Sequence, residues 1–343
     1  MALNQTAAYP VIDATQVSEP RRAALALAAR FGFSEERAGR LALVVTELAT
    51  NLAKHATGGE LLLRGIRRES SDAELDGVEV VTVDAGPGIP DVALSSRDGH
   101  STAGTLGHGL GTIQRQSDLF EIHSVPTGTI ALARVWREPP DRRVALPRHE
   151  LGAIQVSKAG EDICGDDWDW RMRDERLAIL VADGLGHGAA AHDASREAVM
   201  TFRRDHELSP ARVINSVHGA LRSTRGAAVA MIAIDLDRGV ARYAGVGNIG
   251  AVIVHANATR QSLVSQNGTA GHTIPPLQEY NYPFAARSIL VMYSDGLGTR
   301  WDLSAYPGLS VRHPSIIAAA LYRDFSRKRD DVTVIVVKER PAR

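Results

Sequence analysis

The chain has 343 residues, with 39 Lys and Arg against 40 Asp and Glu and a formal net charge of −1. That balance argues against a nucleic-acid binder, which carries a basic excess, and no apolar run approaches the ~20 residues that span a bilayer. The single cysteine, Cys164, excludes an internal disulfide, and the length suffices for two domains that each bury a core.

Read in chain order, the first half begins with a segment, Met1 to Pro10, that lacks a basic stretch followed by an apolar core. No signal peptide is therefore expected, and with the lone cysteine this points to the cytoplasm. Helical patterns run from Glu19 to Phe31 and from Ser34, read as an N-cap, to His55. Strands follow near Glu60–Arg67 and Val78–Asp84. A Gly/Ser/Thr-rich segment, Asp91 to Gly107, reads as flexible. A helix over Leu110–Ser117 and strands over Leu119–Ser124 and Gly128–Trp136 close this half.

Arg137-Glu138-Pro139-Pro140-Asp141-Arg142-Arg143 carries two prolines and five charges and reads as a solvated linker. It divides the chain into a first domain over 1–137, a linker over 138–147 and a second domain over 148–343. Strand patterns in the second domain cover Leu151–Lys158, Leu177–Ala182, Ala228–Asp235, Val240–Val246, Ala251–His255, Ser288–Tyr293 and Val332–Lys338. Helical patterns cover Ala190–Asp205, Pro210–Ser223 and Pro314–Ser326. The expected class is α+β in two domains: a layered α/β sandwich, then a β-sandwich flanked by helices.

Two constellations carry chemistry. On a helix, Glu47, Asn51 and Lys54 fall within roughly a 60° sector, with His55 beside it. A carboxylate, an amide and a cation on one stripe suit a Mg²⁺–triphosphate. Alone, that stripe reads more readily as a solvated face. Asp84 ends a strand and enters the turn Asp84-Ala85-Gly86-Pro87-Gly88, where its carboxylate suits an adenine amino group. Gly107-His108-Gly109-Leu110-Gly111 leads into a helix, whose bare N–H groups suit phosphate oxygens.

The second constellation is acidic: Cys164-Gly165-Asp166-Asp167, Asp183-Gly184-Leu185-Gly186-His187-Gly188, Ser294-Asp295-Gly296 and Asp330-Asp331-Val332-Thr333. The first three are read as carboxylates ending strand-like runs and the last as one opening a run. Converging Asp groups with one backbone carbonyl make a site for hard divalent metals, and paired metals bind phosphate and activate water. A single Asp-Gly is more often a turn; the weight lies in four motifs together. His187 is read as standing near the metals or as a helix-entry residue, and Asn248 as a ligand-orienting group or a bare turn. Cys164 reads as a small buried filler. Arg171 and Arg173 are candidate phosphate contacts by proximity only.

On these motifs, residues 19 to 136 resemble the GHKL (Bergerat) ATP-binding fold, specifically the RsbW/RsbT-like serine kinases of bacterial partner-switching systems. The resemblance implies that Asn51 holds Mg²⁺, that Asp84 reads adenine and that Glu47 is the candidate base. It also implies that Gly86, Gly88, Gly107, Gly109, Leu110 and Gly111 line the nucleotide, with Lys54 beside it. Residues from about Arg148 to Lys338 resemble the type 2C metal-dependent protein phosphatases, in the SpoIIE/RsbU/RsbX branch. That resemblance implies two Mn²⁺ or Mg²⁺ held by Asp166, Asp183, Asp295, Asp330 and the Gly184 carbonyl, with Asp183 bridging and catalytic. Asp167 and Asp331 stand beside ligand positions.

Together the resemblances imply a bifunctional regulator. One head phosphorylates Ser or Thr on a partner with Mg-ATP, and the other removes phosphate from a phosphoserine or phosphothreonine. The implied partner is a STAS-domain antagonist or stressosome-type phosphoprotein, with a sigma factor or a downstream phosphatase beyond it. Two alternatives stay open: a first domain that binds ATP and a partner without turnover, and a phosphatase whose first domain is a degenerate ATP sensor.

Overall fold

The computed structural model describes residues 5–56, 58–68, 76–92, 109–141, 147–173 and 175–340. The chain forms two compact units. One comprises Thr6–Leu146 with Ser315–Arg323, and the other Met1–Gln5, Pro147–Pro314 and Asp324–Arg343.

In the first unit, strands β1 (Ala7–Val11), β2 (Gly59–Ile66), β3 (Gly77–Val83), β4 (Leu119–Val125) and β5 (Gly128–Trp136) form one antiparallel sheet in the order β1-β2-β3-β5-β4. Helices α1 (Ser18–Arg30), α2 (Glu35–His55) and α3 (Gly109–Gln116) accompany it. Ser34 caps α2, its side chain accepting from the Arg37 N–H. Leu41, Val44, Val45, Leu48 and Leu52 recur at helical spacing on α2 and bury against Leu61, Leu63, Val78, Val80, Ala131 and Ala133 of the sheet.

Strand alternation turns Arg64, Glu79 and Arg134 to the opposite face. There Glu79 Oε1 accepts from Arg64 Nε and Oε2 from Arg134 Nε, both at 2.7 Å. All three are buried, and burial of a charge is tolerable only when it is paired in this way.

The second unit stacks two antiparallel sheets. One holds β7 (Asp166–Arg173), β8 (Arg176–Gly184), β9 (Ala227–Asp235), β10 (Val240–Val246) and β13 (Tyr280–Pro283), in the order β13-β10-β9-β8-β7. The other holds β6 (His149–Val156), β11 (Gly250–Val254), β12 (Arg260–Ser262), β14 (Ile289–Tyr293) and β15 (Val332–Glu339), in the order β12-β11-β14-β15-β6. Trp168, Ile179 and Ile232 from the first sheet share one core with Ala251, Leu290 and Ile335 from the second. The outer face of the first sheet, including Leu180, Val229 and Met231, packs on Ala198 and Phe202 of α4 (Ala189–Asp205) and Val213 and Val217 of α5 (Pro210–Ala220).

Strands β1, β7, β12 and β13 escape the sequence reading. The sequence of β7, Asp166-Asp167-Trp168-Asp169-Trp170, is too acidic to look like a strand, yet these residues are buried. Trp168 and Trp170 face the core. Asp169, on the other face, takes Arg203 of α4 at 2.6 Å and Arg171 at 3.0 Å. The last helix, α6 (Pro314–Phe325), lies in the second half of the sequence, but its residues Ser315–Arg323 belong to the first unit. Among the described residues, no helix is long and apolar enough to cross a membrane.

Candidate functional site

The β7–β8 ladder sets the acidic site. Asp166, the first residue of β7, is the register partner of Asp183, the penultimate residue of β8. Asp166 therefore opens a strand rather than ending one, because β7 is the strand the sequence hid. Gly184 closes β8, its N–H donating to the Gly165 carbonyl at 3.2 Å. Asp295 follows β14 and Asp330 precedes β15. Those strand ends are fastened by Ser294 N–H to Thr333 O at 3.0 Å and Thr333 N–H to Ser294 Oγ at 2.9 Å.

Asp331 is a buckle rather than a ligand. Its Oδ1 accepts from the Lys158 N–H at 2.8 Å and its Oδ2 from the Gly165 N–H at 2.9 Å. That ties the chain on either side of the β6–β7 connection to the start of β15. A Cβ at Gly165 would stand 2.7 Å from Asp331 Oδ2, so only glycine lets this carboxylate approach. Asn248, in the turn between β10 and β11, donates to Asp295 Oδ2 at 2.7 Å and so holds a candidate ligand.

The electrostatics are those of crowded carboxylates. Burial, then Asp166, Asp295, Asp330 and Asp331, push the Asp183 carboxyl well above the ordinary range. Burial does the same to Asp166, with Asp331 and Asp295 adding to it and the Ser294 and Thr333 hydroxyls opposing it. Asp295 is raised by burial and by Asp330, while the Arg327 charge acts against both. Asp166 Oδ2 is buried with no hydrogen-bond partner.

Among the described residues, no three carboxylate, imidazole or thiol groups already stand together as a closed ligand shell. The acids influence one another at longer range. The donor set still fits Mg²⁺ or Mn²⁺: all the candidate ligands are oxygen, one buried oxygen lacks a partner, and like charges gather where a cation would relieve them.

His187 is half exposed, its Nδ1 2.6 Å from Glu161 Oε1. Cys164 is buried, and burial with nearby Asp166 and Asp331 raises its thiol well above the usual value, as an inert filler requires. Arg171 is engaged by Asp169, and Arg173 pairs with Glu207 at the end of β7 away from Asp166. Neither reaches the acids. Sequence reasoning placed Asp331 only beside a ligand and left Asn248 open. The Gly-Val-Gly-Asn turn was the available signal for Asn248.

In the first unit, α2 brings Glu47 and Asn51 under α3. A Cβ at Gly109 would lie 3.4 Å from Asn51 Oδ1 and 3.5 Å from Glu47 Oε2. Gly109 thus leaves a cradle above both side chains. One turn further along α2, Lys54 is exposed. Asp84 follows β3, and its Oδ1 accepts from the Gly86 N–H at 2.7 Å and the Thr129 N–H at 3.2 Å.

Gly88 has a φ of +76°, and a Cβ there would stand 2.3 Å from the Val125 carbonyl oxygen, which rules out any other residue. At Gly86 a Cβ would lie 3.1 Å from the His55 carbonyl oxygen, so the Asp84 turn packs against the end of α2. Helix α3 starts at Gly109, one residue before the expected Leu110, so Gly109, Leu110 and Gly111 form its first turn. Gly107, and the Asp91–Gly107 segment beyond Val92, lie outside the described residues. A carboxylate steadied by two amides, with a glycine-floored helix start over Glu47 and Asn51, fits a nucleotide.

Residues 11–135 match the histidine kinase-like ATPase domain family, and residues 173–340 match the family of stage II sporulation protein E, SpoIIE. The chain therefore joins a histidine kinase-like ATPase domain to a SpoIIE-type domain of the type 2C protein phosphatase family.

It is similar to the serine/threonine-protein kinase RsbT of Bacillus subtilis (strain 168), 29% identical over 135 residues that cover 39% of this chain and 98% of RsbT. It is also similar to the phosphoserine phosphatase RsbX of the same organism, 24% identical over 187 residues that cover 53% of this chain and 90% of RsbX. Among solved structures, one described under the bacterial stressosome, a modular system adapted to control secondary messenger signaling, matches with a TM-score of 0.53 at 25% identity, over 56% of this chain and 100% of that one. RsbX in complex with magnesium matches with a TM-score of 0.52 at 21% identity, over 57% of this chain and 98% of that one, a likeness of fold.

Proposed function

We propose that the chain is a two-headed partner-switching regulator of the bacterial cytoplasm. Its second unit removes phosphate from phosphoserine or phosphothreonine, and its first unit binds Mg-ATP and phosphorylates Ser or Thr on a partner. The observation that carries the phosphatase reading is the pairing of Asp166 with Asp183 across β7–β8, with Asp295 and Asp330 raising the proton affinity of the same region. Asp166, Asp183, Asp295, Asp330 and the Gly184 carbonyl would hold two divalent cations. Such cations, when bound, supply Lewis acidity toward a phosphoryl group and lower the pKa of water. The protein's own part is to hold the acids: Asn248 steadies Asp295, and Asp331 fixes both ends of the β6–β7 connection that leads into Asp166.

In the first unit, Asp84 would accept from the adenine amino group and Asn51 would serve the Mg²⁺ of ATP. Glu47, facing the same cradle, would take the proton of the attacking hydroxyl. The glycine positions, Leu110 and Lys54 would border the phosphates. By likeness to RsbT and RsbX, the partner is a STAS-domain or stressosome-type phosphoprotein. The boundaries that serve this reading are 1–137 and 148–343, joined by 138–147.

The test uses the full-length protein. Hydrolysis of p-nitrophenyl phosphate should require Mn²⁺, stop with EDTA and vanish in Asp183→Asn. Metal-independent hydrolysis, or an Asp183→Asn variant as active as wild type, contradicts the reading.

A further inference from the structure

Arg171 and Arg173 are turned to Asp169 and Glu207, which leaves the acidic site of the second unit without an assigned cation for its substrate. Arg225 is better placed. It stands in the turn between α5 and β9, in the same unit as the four acids. The β8–β9 ladder fixes where that turn falls. Asp183 is the register partner of Ala228 and Gly184 of Ala227, so the residues just before β9 lie beside those just after Asp183. The Leu185 N–H closes the pair by donating to the Gly226 carbonyl at 3.0 Å.

The turn is held on several sides. The Thr224 N–H donates to the Leu221 carbonyl at 2.9 Å, and the Gly226 N–H donates to Thr224 Oγ1 at 3.0 Å. His272 Nε2 stands 2.9 Å from the Arg225 carbonyl oxygen. Gly226 has a φ of +76°, and a Cβ there would lie 2.6 Å from the Ala270 carbonyl oxygen, so only glycine fits. From this base the Arg225 side chain lies over the loop that follows Asp183. A Cβ at Gly186 would stand 3.2 Å from Arg225 Nη1, so the guanidinium of this exposed residue rests against a glycine three positions past Asp183.

Among the described residues, no carboxylate forms an ion pair with Arg225. The other basic groups of these loops are engaged. His187 Nδ1 is 2.6 Å from Glu161 Oε1, and the Arg327 charge bears on Asp295. A guanidinium presents a planar fork of donors that matches phosphate oxygens two at a time. It also offers positive charge to a phosphate dianion at the edge of a region crowded with carboxylates.

We propose that Arg225 is the phosphate-recognising residue of the second unit, donating to the oxygens of phosphoserine or phosphothreonine. The proposal rests on the reading of that unit as a phosphatase.

The experiment uses the full-length protein in saturating Mn²⁺, as wild type, Arg225→Ala, Arg225→Lys and Arg173→Ala. Calorimetric titration with inorganic phosphate reads recognition without turnover. Steady-state hydrolysis of p-nitrophenyl phosphate and of a phosphoserine peptide gives KM and kcat. The Mn²⁺ concentration for half-maximal hydrolysis reads the metal centre.

Arg225→Ala should weaken inorganic phosphate and raise KM for both substrates, each by about tenfold to a hundredfold, the loss expected when a charge-assisted hydrogen bond is removed. Half-maximal Mn²⁺ should stay at the wild-type value, a split that mere loosening of the Asp183 loop does not give. Arg225→Lys should recover part of the loss, since it keeps the charge without the fork. Arg173→Ala should match wild type. Wild-type phosphate affinity and KM in Arg225→Ala overturn the proposal, as does a loss matched by an equal rise in the Mn²⁺ requirement. Absence of Mn²⁺-dependent hydrolysis in wild type instead overturns the phosphatase reading beneath it.

Discussion

The two candidate sites are built by different means. The acidic site hangs on strand ends, where the β7–β8 register sets Asp166 opposite Asp183 and the bonds of Ser294 to Thr333 bring the other two acids in. The nucleotide site hangs on one helix stripe and two glycine segments, with Gly109 over Glu47 and Asn51 and the Asp84 turn against the end of α2. A sheet ladder fixes its ligands against backbone that is already hydrogen-bonded. A helix stripe fixes side chains only along one edge and leaves the phosphate side to loops. The first arrangement concentrates like charge and stores repulsion until a cation arrives, whereas the second stores little.

Substitutions should break this contrast in graded steps. The largest effect belongs to Asp183→Asn, which should lower Mn²⁺-dependent hydrolysis at least about a thousandfold. It should leave the metal-free melting temperature unchanged or raised, since it removes an acid whose ionisation burial and four neighbouring carboxylates oppose. Steady-state kinetics and a thermal melt check both halves.

Glu47→Ala comes next. It should cut phosphoryl transfer to a partner by about 10²–10⁴, as loss of a general base does, while nucleotide binding by fluorescence stays near wild type. Equal transfer in both proteins would leave the first unit as a binding module. Asp331→Ala should cost roughly 2–4 kcal/mol in urea unfolding, because a buried carboxylate and the two amides it serves all lose partners. Asn248→Ala should weaken Mn²⁺ about 10–100-fold by freeing Asp295, read as the Mn²⁺ concentration for half-maximal hydrolysis.

The smallest effect is that of pH on the metal-free protein. Asp166, Asp183 and Asp295 have carboxyls raised in the folded state. Between the ordinary carboxylate range and those raised values, the folded state binds more protons than the unfolded one. Stability from these groups is therefore full at the acidic end and falls as pH rises through the raised values. Melting temperature in EDTA should decline from pH 6 to pH 9, and saturating Mn²⁺ should flatten that decline.

The sequence was legible where local pattern and tertiary demand agree. Ser34 caps α2 as its position before Glu35 and Glu36 suggests. The Val78–Asp84 run is β3 and its exit, and the helix after His187-Gly188 is α4. It was opaque where tertiary burial overrides composition. β7 looks polar because its acids serve the site and Arg203, while only Trp168 and Trp170 advertise a core. Asp331 reads like its neighbour Asp330, yet one is a buried buckle and the other an exposed candidate ligand. Strand position separates them, and their residue type does not. The membership of Ser315–Arg323 in the first unit has no local signature, since an apolar helix pattern does not name the surface it will cover.

The central claim is that Asp166, Asp183, Asp295 and Asp330 form one divalent-metal centre, and its most direct test is calorimetric titration of Mn²⁺ into the metal-free, full-length protein. Two bound equivalents should appear, with protons released because the raised carboxyls must deprotonate, and both should weaken or vanish in Asp183→Asn. Identical titrations of wild type and Asp183→Asn, or binding without proton release, would contradict the account.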